Sequence, residues 1–306
     1  MKKKESCSVC IRECPLGESF CGRRDNRGLL KHPSRLCAVL VDSLFDKPVI
    51  HFKENIKVLS IGSWGCNLRC LGCQNDALSW TTSGKELGSL DLGPEAVVKM
   101  ALESQCRGIC YTYNEPAILL EAVEDIGRSA RKAGLYNIFV TNSTLTVDST
   151  RRIAAVIDAV AADIKSMKDD FYYDYCGAAG ISEVAEKVLQ CIKTFHDSGT
   201  HVEIRTNVIH GTNDQEENFR SISHWIRTNL GKQVPWHITK FFPAYKLSHL
   251  SPVPTQVMLK AQHIGLDEGL EYVHTYFSKG CDCAGEMCMI DENAARGQFK
   301  IKSCCD

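Results

Sequence analysis

The residues best suited to chemistry are three cysteines that lie in a run of eight residues. Cys66, Cys70 and Cys73 have the spacing C-x3-C-x2-C, which provides thiolates for three irons of a [4Fe–4S] cube and leaves the fourth iron without a protein ligand. Thiolate ligation is typical of such clusters, but a ferredoxin that only transfers electrons supplies four cysteines per cubane. The spacing therefore predicts a cluster with one iron open to a small molecule. The alternatives are a zinc knuckle or buried structural thiols, although cysteines that fill a core show no such spacing.

The overall composition indicates an intracellular enzyme. The chain has 306 residues, 44% of them hydrophobic, and a formal net charge of −1, which suffices for one large α/β barrel with small additions. A charge near zero gives no reason to expect nucleic acid or an anionic membrane as a partner. No apolar stretch follows the basic start and no run approaches the length of a membrane span, so we expect a cytoplasmic protein. The 17 cysteines occur in groups, which indicates metal ligands rather than a disulfide scaffold.

Strand and helix patterns alternate from residue 57 onward. This alternation predicts an α/β fold with a parallel sheet and crossover helices, a partial (β/α)6 barrel of the TIM type with Cys-rich N- and C-terminal extensions. We expect the N-terminal extension at 1–52, the barrel at 53–250, and a last helix, strand and Cys-rich tail at 251–306. The predicted strands lie at 58–62, 108–113, 137–141, 157–164, 201–209 and 234–242, with a further strand near 271–277. The predicted helices lie at 94–104, 117–133, 147–155, 182–198, 214–229 and 254–266.

Polar residues gather at the carboxyl ends of the predicted strands, which in a parallel barrel form the rim that carries the active site. Each of them alone has a structural explanation, such as a helix cap or an ion pair. Six such ends around an open-iron cluster motif nevertheless predict one pocket. Besides the cysteines, the rim residues are 111–116, 141–143, 163–165, Glu203, Arg205, Asn207 and His237.

Residues 57–250 resemble the radical S-adenosylmethionine superfamily, and within it the activases of glycyl-radical enzymes such as pyruvate formate-lyase activase. The cysteine run matches the superfamily signature, Asn114-Glu115-Pro116 stands in the place of a Gly-Gly-Glu-Pro motif, and Asp163-x-Lys165 matches an Asp-x-Lys motif. The stretch from Arg205 to Asp214 resembles Arg-x-x-x-Ile-Pro-Gly-x-x-Asp. The resemblance implies a [4Fe–4S] cluster and S-adenosylmethionine as cofactors. It implies these cofactor-binding residues: Asn114, Glu115, Asn142, Asp163, Lys165, Arg205 and His237.

The chain departs from the activase pattern at several positions. Tyr113 and Asn114 replace the two glycines of Gly-Gly-Glu-Pro, and His210 replaces a proline. These features are closer to a branch of radical S-adenosylmethionine proteins that share gene neighbourhoods with AMMECR1-like and Memo-like proteins. The sequence does not indicate the substrate of that branch.

The resemblance implies an enzyme that reductively cleaves S-adenosylmethionine and uses the 5′-deoxyadenosyl radical to abstract hydrogen from a protein, a peptide or a small molecule. Activation of a glycyl-radical enzyme is one form of this activity, with flavodoxin or ferredoxin as the reductant. The alternative is a non-catalytic iron–sulfur scaffold or electron carrier. Glu115, Asp163, Lys165 and His237 argue against it, because a carrier needs no residues suited to an adenosine.

Two further cysteine groups flank the predicted barrel. Four thiols within 15 residues can bind zinc in a closed site or an auxiliary iron–sulfur cluster, and the residues leave both alternatives open. A third metal site in the C-terminal tail is a further alternative, and this tail also carries the adjacent pair Cys304-Cys305. Cys106, Cys110, Cys176 and Cys191 lie in apolar contexts and are expected in the core. The N-terminal group is Cys7, Cys10, Cys14 and Cys21, and the C-terminal group is Cys281, Cys283 and Cys288.

Overall fold

A computed structural model describes residues 5–84, 87–277 and 288–289. Nine of its strands form one sheet in the order β11-β10-β9-β8-β7-β6-β5-β3-β2. The seven strands from β10 to β3 in this order run parallel, and an antiparallel strand pairs with each edge. The strands are β1 (Arg35–Leu36), β2 (Ala38–Ser43), β3 (Lys57–Gly62), β4 (Leu90–Asp91), β5 (Gly108–Tyr111), β6 (Tyr136–Thr141), β7 (Ala159–Asp163), β8 (His201–Val208), β9 (Trp236–Lys240), β10 (Val273–Phe277) and β11 (Cys288–Met289).

Helices connect the parallel strands and pack on the sheet. Their apolar faces bury side chains such as Ile126, Val188 and Ile222, which give the main core. Burial of one such aliphatic side chain stabilises the fold by about 1.5–3 kcal/mol. The helices are α1 (Asp76–Ser79), α2 (Pro94–Glu103), α3 (Leu120–Lys132), α4 (Val147–Ala154), α5 (Asp169–Cys176), α6 (Val184–Asp197), α7 (Glu216–Asn229) and α8 (Thr255–Asp267), with short 3-10 turns at Leu44–Asp46, Pro116–Leu119 and Tyr245–Leu247.

The predicted α/β fold with a parallel sheet is confirmed, and the linear strand order agrees with a partial barrel. Every predicted strand and helix has a counterpart, including the further strand, which is β10. The elements that were not predicted from the sequence are β1, β2, β4, β11, α1 and α5. The division at residues 53 and 250 stays a prediction, although β2 and β10 lie outside 53–250 and belong to the same sheet.

A second, smaller core fills the inside of the sheet near the starts of the strands. Val58, Ile138 and Ala159 pack there against the segment 44–56, which carries Leu44 and Val49. Residues two apart on a strand point to the same face. The apolar residues at the strand starts are therefore followed on the same face by the polar residues of the rim, as in the series Ala159, Ala161 and Asp163 on β7.

Candidate active site

A cavity of about 410 Å³ lies at the carboxyl ends of the parallel strands. Residues from β6, β7, β8, β9 and β10 and from the loops after β3, β5, β6 and β7 line it. The predicted single pocket therefore brings together all three motif cysteines and six of the seven predicted cofactor-binding residues. The residues that it brings together are Cys66, Cys70, Cys73, Asn114, Glu115, Asn142, Asp163, Lys165 and Arg205.

The motif cysteines lie on the loop that follows β3, and this loop is fixed from several sides. The Arg69 guanidinium donates to the Cys66 carbonyl at 2.7 Å, and the Trp80 indole donates to the Cys70 carbonyl at 3.2 Å. Gly65 has φ +83°, and a Cβ there would lie 2.3 Å from the carbonyl oxygen of Cys21. Only glycine combines this backbone conformation with such a close approach. The thiols are therefore held in fixed positions at the cavity wall.

The thiol environment fits a thiolate-bound cluster. Burial, together with the charges of Cys70, Glu115 and Cys73, raises the pKa of the Cys66 thiol. Three thiols against one cavity need nearby positive charge before they can ionise together, and iron ions supply it. In the described part of the chain no three His, Cys, Asp or Glu side chains converge as ligands of a single ion. A cubane differs from a single ion in that each thiolate binds its own iron.

Asn114 forms hydrogen bonds that fix the start of the cysteine loop. Its side-chain oxygen accepts from the Ser63 amide at 2.9 Å, and its nitrogen donates to the Gly65 carbonyl at 2.9 Å. The preceding Tyr113 has φ +71°, which explains why the related motif has glycine there. The Tyr113 hydroxyl donates to Asp42 at 2.8 Å, a contact that glycine could not make.

Glu115 lies beside the cysteines and is only 4% exposed. Its carboxylate accepts from the Ala117 amide at 2.9 Å, the Thr141 hydroxyl at 2.8 Å and the Asn142 amide at 2.7 Å. Burial nevertheless raises the pKa of Glu115 to about 7, and the charge of Asp163 acts in the same direction. A cationic ligand in the cavity would favour the ionised form.

Asn142 contributes to the same wall. Besides its backbone contact with Glu115, its side-chain nitrogen donates to the Asn67 oxygen at 3.0 Å, and its side-chain oxygen accepts from Thr144. Asn142 thus ties the end of β6 to the cysteine loop.

Asp163, Lys165 and Arg205 form an ionic group that also lines the cavity. Lys165 Nζ lies 2.6 Å from one carboxylate oxygen of Asp163, and Arg205 Nε lies 2.6 Å from the other. Burial acts to raise the pKa of Asp163, but Arg205 and Lys165 outweigh it and lower that pKa. Burial likewise acts to lower the pKa of Lys165, but Asp163 raises it. Two cations on one carboxylate leave one net positive charge at the cavity, which suits an anionic group of a ligand.

His237 lies outside the cavity lining and is fully buried. Its Nε2 lies 2.6 Å from Glu203 Oε2, and its Nδ1 lies 2.7 Å from the hydroxyl of Tyr276. Tyr276 does line the cavity. The predicted contact of His237 with the cofactor stays a prediction, and the structure connects this residue to the cavity through Tyr276.

Tyr276 and Cys176 are among the cavity residues that were not identified from the sequence. Tyr276 lies on β10, where the period-two alternation of His274 and Tyr276 could have indicated an inward face. Cys176 was expected in the core and is buried, but it also lines the cavity and contacts the Cys70 thiol. It ends α5, a helix too short and too polar for its period to stand out.

The flanking cysteines differ in what the structure describes. Cys7, Cys10, Cys14 and Cys21 line a second, smaller cavity. Cys281 and Cys283, like Cys304 and Cys305, lie outside the described residues, and Cys288 is described only as part of β11. Cys106, Cys110 and Cys191 are buried as expected.

Comparison with known proteins identifies the class. The family model "Radical SAM superfamily" matches residues 61–221. A protein of Methanocaldococcus jannaschii named uncharacterized protein MJ0808 is 33% identical over 280 residues, which cover 89% of this chain and 80% of the relative. The chain belongs to the radical S-adenosylmethionine superfamily.

More distant relatives carry descriptive names. Pyruvate formate-lyase 1-activating enzyme of Escherichia coli is 25% identical over 216 residues, 65% of this chain and 85% of the enzyme. A radical SAM methyltransferase of Sphaerobacter thermophilus has a similar fold, with a TM-score of 0.53 at 16% identity over 75% of this chain and 71% of that one. SuiB of Streptococcus suis bound to S-adenosylmethionine has a TM-score of 0.53 at 10% identity over 74% of this chain and 52% of that one.

These findings confirm the predicted resemblance to activases and the predicted cofactors, a [4Fe–4S] cluster and S-adenosylmethionine. The link to the AMMECR1-associated and Memo-associated branch stays a prediction. No helix among the described residues is long and apolar enough to cross a membrane.

Proposed function

We propose that this radical S-adenosylmethionine enzyme holds its cluster through Cys66, Cys70 and Cys73 and abstracts hydrogen from a protein, peptide or small-molecule substrate. When bound, the cluster supplies the electron that cleaves S-adenosylmethionine to methionine and a 5′-deoxyadenosyl radical. The observation that carries this proposal is the shared cavity, in which the three thiols lie together with a buried acid and a cationic group.

The protein residues position the cofactor. Glu115 accepts a hydrogen bond from the ammonium group of S-adenosylmethionine. Because the pKa of Glu115 is about 7, this carboxyl ionises readily when the cation binds. Lys165 and Arg205 keep donors beyond those used on Asp163 and bind the carboxylate or the ribose hydroxyls. Asp163 orients both cations. Asn114 fixes the position of the cysteine loop. Asn142 contacts both Glu115 and this loop and so fixes their positions relative to each other.

The similarity to pyruvate formate-lyase 1-activating enzyme supports a protein substrate and, within that class, activation of a glycyl-radical enzyme. This activity needs one electron per cleavage from a low-potential donor of the flavodoxin or ferredoxin type. It also needs the substrate residue to reach the cavity, which lies at the mouth of the barrel.

The test is formation of 5′-deoxyadenosine. The anaerobically reconstituted protein, given dithionite and S-adenosylmethionine, should form 5′-deoxyadenosine and methionine in equal amounts. A protein that has a full cluster and forms neither product would be a scaffold or carrier, and the proposal would be wrong. The glycyl-radical role is tested separately, since a candidate substrate protein should then acquire a glycyl radical signal in electron paramagnetic resonance.

A further inference from the structure

The N-terminal cysteines converge although they are spread over 15 residues. The Cys7 amide donates to the Cys14 carbonyl at 2.8 Å, and Ser6 pairs with Pro15, so a tight hairpin brings these two cysteines together. Cys10 and Cys21 reach the same cavity. All four are free thiols rather than disulfide partners.

The four thiols line one small cavity of about 20 Å³, close to the roughly 10–15 Å³ that one water needs. A closed zinc site needs four ligands at about 2.3 Å from one point. Among the residues that the structure describes, no three His, Cys, Asp or Glu side chains meet at a single ion position. Thiols that line one cavity without meeting at one point suit a cubane, in which each binds its own iron.

Two arginines give the cavity a positive character. Arg12 lies near Cys10 and Cys14, and Arg24 lies near Cys7, in each case close enough for their charges to interact. Both guanidinium groups are held in place. Arg12 donates to the carbonyls of Asn67 at 2.9 Å and Gly177 at 2.8 Å.

Arg24 is anchored on α3 and the turn before it. Its guanidinium lies 2.6 Å from Glu121 and donates to the Ile118 carbonyl at 2.9 Å. A cluster bound by four thiolates is anionic, so fixed cations at its edge favour binding.

We propose that Cys7, Cys10, Cys14 and Cys21 bind a second [4Fe–4S] cluster, and that this cluster passes electrons to the one at Cys66, Cys70 and Cys73. The second half of the proposal rests on the proposed function, whereas the first half does not.

Asn67 joins the two sites. It lines the N-terminal cavity and contacts Cys10, while its side-chain oxygen lies 3.9 Å from the Cys66 thiol. One amide side chain thus separates a ligand of one cluster from a ligand of the other. One electron moves from a reduced flavodoxin or ferredoxin to the second cluster and then to the first. Each donor is oxidised and each acceptor reduced by one electron, and no bond changes at the second cluster.

Iron content tests the site. A Cys10→Ala/Cys14→Ala double variant should lose about four iron atoms per chain relative to the unchanged protein. The matched control is Cys191→Ala, a buried cysteine that contacts Thr150 and lies outside both cavities, and it should lose none. Undiminished iron in the double variant, or one zinc per chain in the unchanged protein that disappears in this variant, would overturn the proposal.

A reciprocal variant distinguishes this site from the first cluster. It also tests the proposal if the double variant fails to fold. Replacement of Cys66, Cys70 and Cys73 together should leave about four iron atoms per chain and a reduced-cluster signal in electron paramagnetic resonance. This result would stand even if the unchanged protein formed no 5′-deoxyadenosine. A variant with folded circular dichroism but no remaining iron would refute the second cluster.

The electron transfer role has its own readout. With reduced flavodoxin as the donor, the double variant should lose reduction of the first cluster, measured by electron paramagnetic resonance. With dithionite, a small donor that reaches the first cluster directly, reduction should persist. Equal reduction by flavodoxin in the variant and the unchanged protein would overturn this role.

Discussion

The inside of the barrel has two polar layers on the neighbouring strands β7, β8 and β9. The layers differ in the hydrogen-bonding capacity that remains for a ligand. At the rim, Asp163 is held by Lys165 and Arg205, and these cations keep donors that face the cavity. One layer below, Glu203 and His237 are fully buried. A polar side chain that points into the barrel can therefore belong to either layer. Only unused hydrogen-bonding capacity indicates that it binds a ligand.

The hydrogen bonds of the lower layer show this difference. Glu203 accepts from the amides of Ile50 at 3.1 Å and His51 at 2.9 Å, and it contacts the rings of His201 and His237. Burial acts to raise the pKa of Glu203, but the hydrogen bonds from the two histidines outweigh it and lower that pKa. All of these partners belong to the protein, so the lower layer braces the barrel beneath the site.

The largest expected effect lies at the rim. Cys66→Ala should abolish 5′-deoxyadenosine formation, because a cluster held by two thiolates cannot keep its geometry. Product analysis by chromatography measures this loss. Cys106→Ala, at a buried position outside both cavities, is the control and should keep activity. Product formed by a Cys66→Ala/Cys70→Ala/Cys73→Ala variant would contradict the assignment of the ligands.

The next effect separates ligand binding from bracing. Asp163→Ala leaves Lys165 and Arg205 without their shared carboxylate, so the free energy of unfolding should fall by about 3–5 kcal/mol. Lys165→Ala should weaken S-adenosylmethionine binding at least about tenfold, which corresponds to about 1.4 kcal/mol, and leave the cluster absorption spectrum unchanged. Titration of the cofactor into folded, iron-replete protein measures the affinity.

The control for these rim variants is Lys168→Ala. Lys168 pairs with Glu217 at 3.3 Å on the surface, and such a pair contributes only about 0–1 kcal/mol. Unchanged affinity in Lys165→Ala would mean that the Asp163 group only braces the barrel.

His237→Ala tests the lower layer. The substitution leaves Glu203 buried with one partner fewer, so the free energy of unfolding should fall by about 3 kcal/mol. The affinity for S-adenosylmethionine should fall less than in Lys165→Ala, since only the position of Tyr276 changes in the cavity. Chemical denaturation and cofactor titration measure the two quantities. A loss of affinity as large as that of Lys165→Ala would instead show direct contact between His237 and the cofactor.

The smallest expected effect is a pH dependence of stability in the lower layer. Burial, with the charges of His237 and His51, lowers the pKa of His274 to about 3. The folded protein thus binds this proton less readily than the unfolded chain, whose histidine pKa is about 6.5. The stabilisation is complete above pH 6.5 and decreases as the pH falls toward 3, by about 2 kcal/mol at pH 5.

Chemical denaturation at several pH values measures this slope, and His274→Gln should make it shallower. His249→Gln, at an exposed position, should leave it unchanged. A wild-type slope in His274→Gln would assign the acid sensitivity to other groups.

The sequence predicted the parallel strands and the rim because both follow from local patterns. The apolar run 157–164 and the alternating stretch 201–209 predict strands, and period two places Arg205 and Asn207 on one face of the second strand. The cysteine spacing likewise needs only a short run of residues. These expectations agree with β7, β8 and the lining of the cavity.

The height of each inward side chain along the barrel axis could not be predicted from the sequence, because it depends on the register and stagger of the strands. His237 pairs in register with Arg205, yet Arg205 lines the cavity and His237 does not. Strands in a barrel are tilted and staggered, so residues paired in register differ in height along the axis. Thr239, two residues further along β9, is the position that reaches the cavity.

The contact between Gly65 and Cys21 has a consequence for assembly. The Cys21 carbonyl packs where a Cβ of residue 65 would stand, so neither cysteine loop can change its backbone without displacing the other. Metal binding that orders one loop also restricts the other loop. The second loop therefore loses less conformational entropy when it binds metal in turn. In the unchanged protein we expect iron uptake by the two loops to be cooperative, so that at limiting iron fewer chains carry one cluster than independent loading would give.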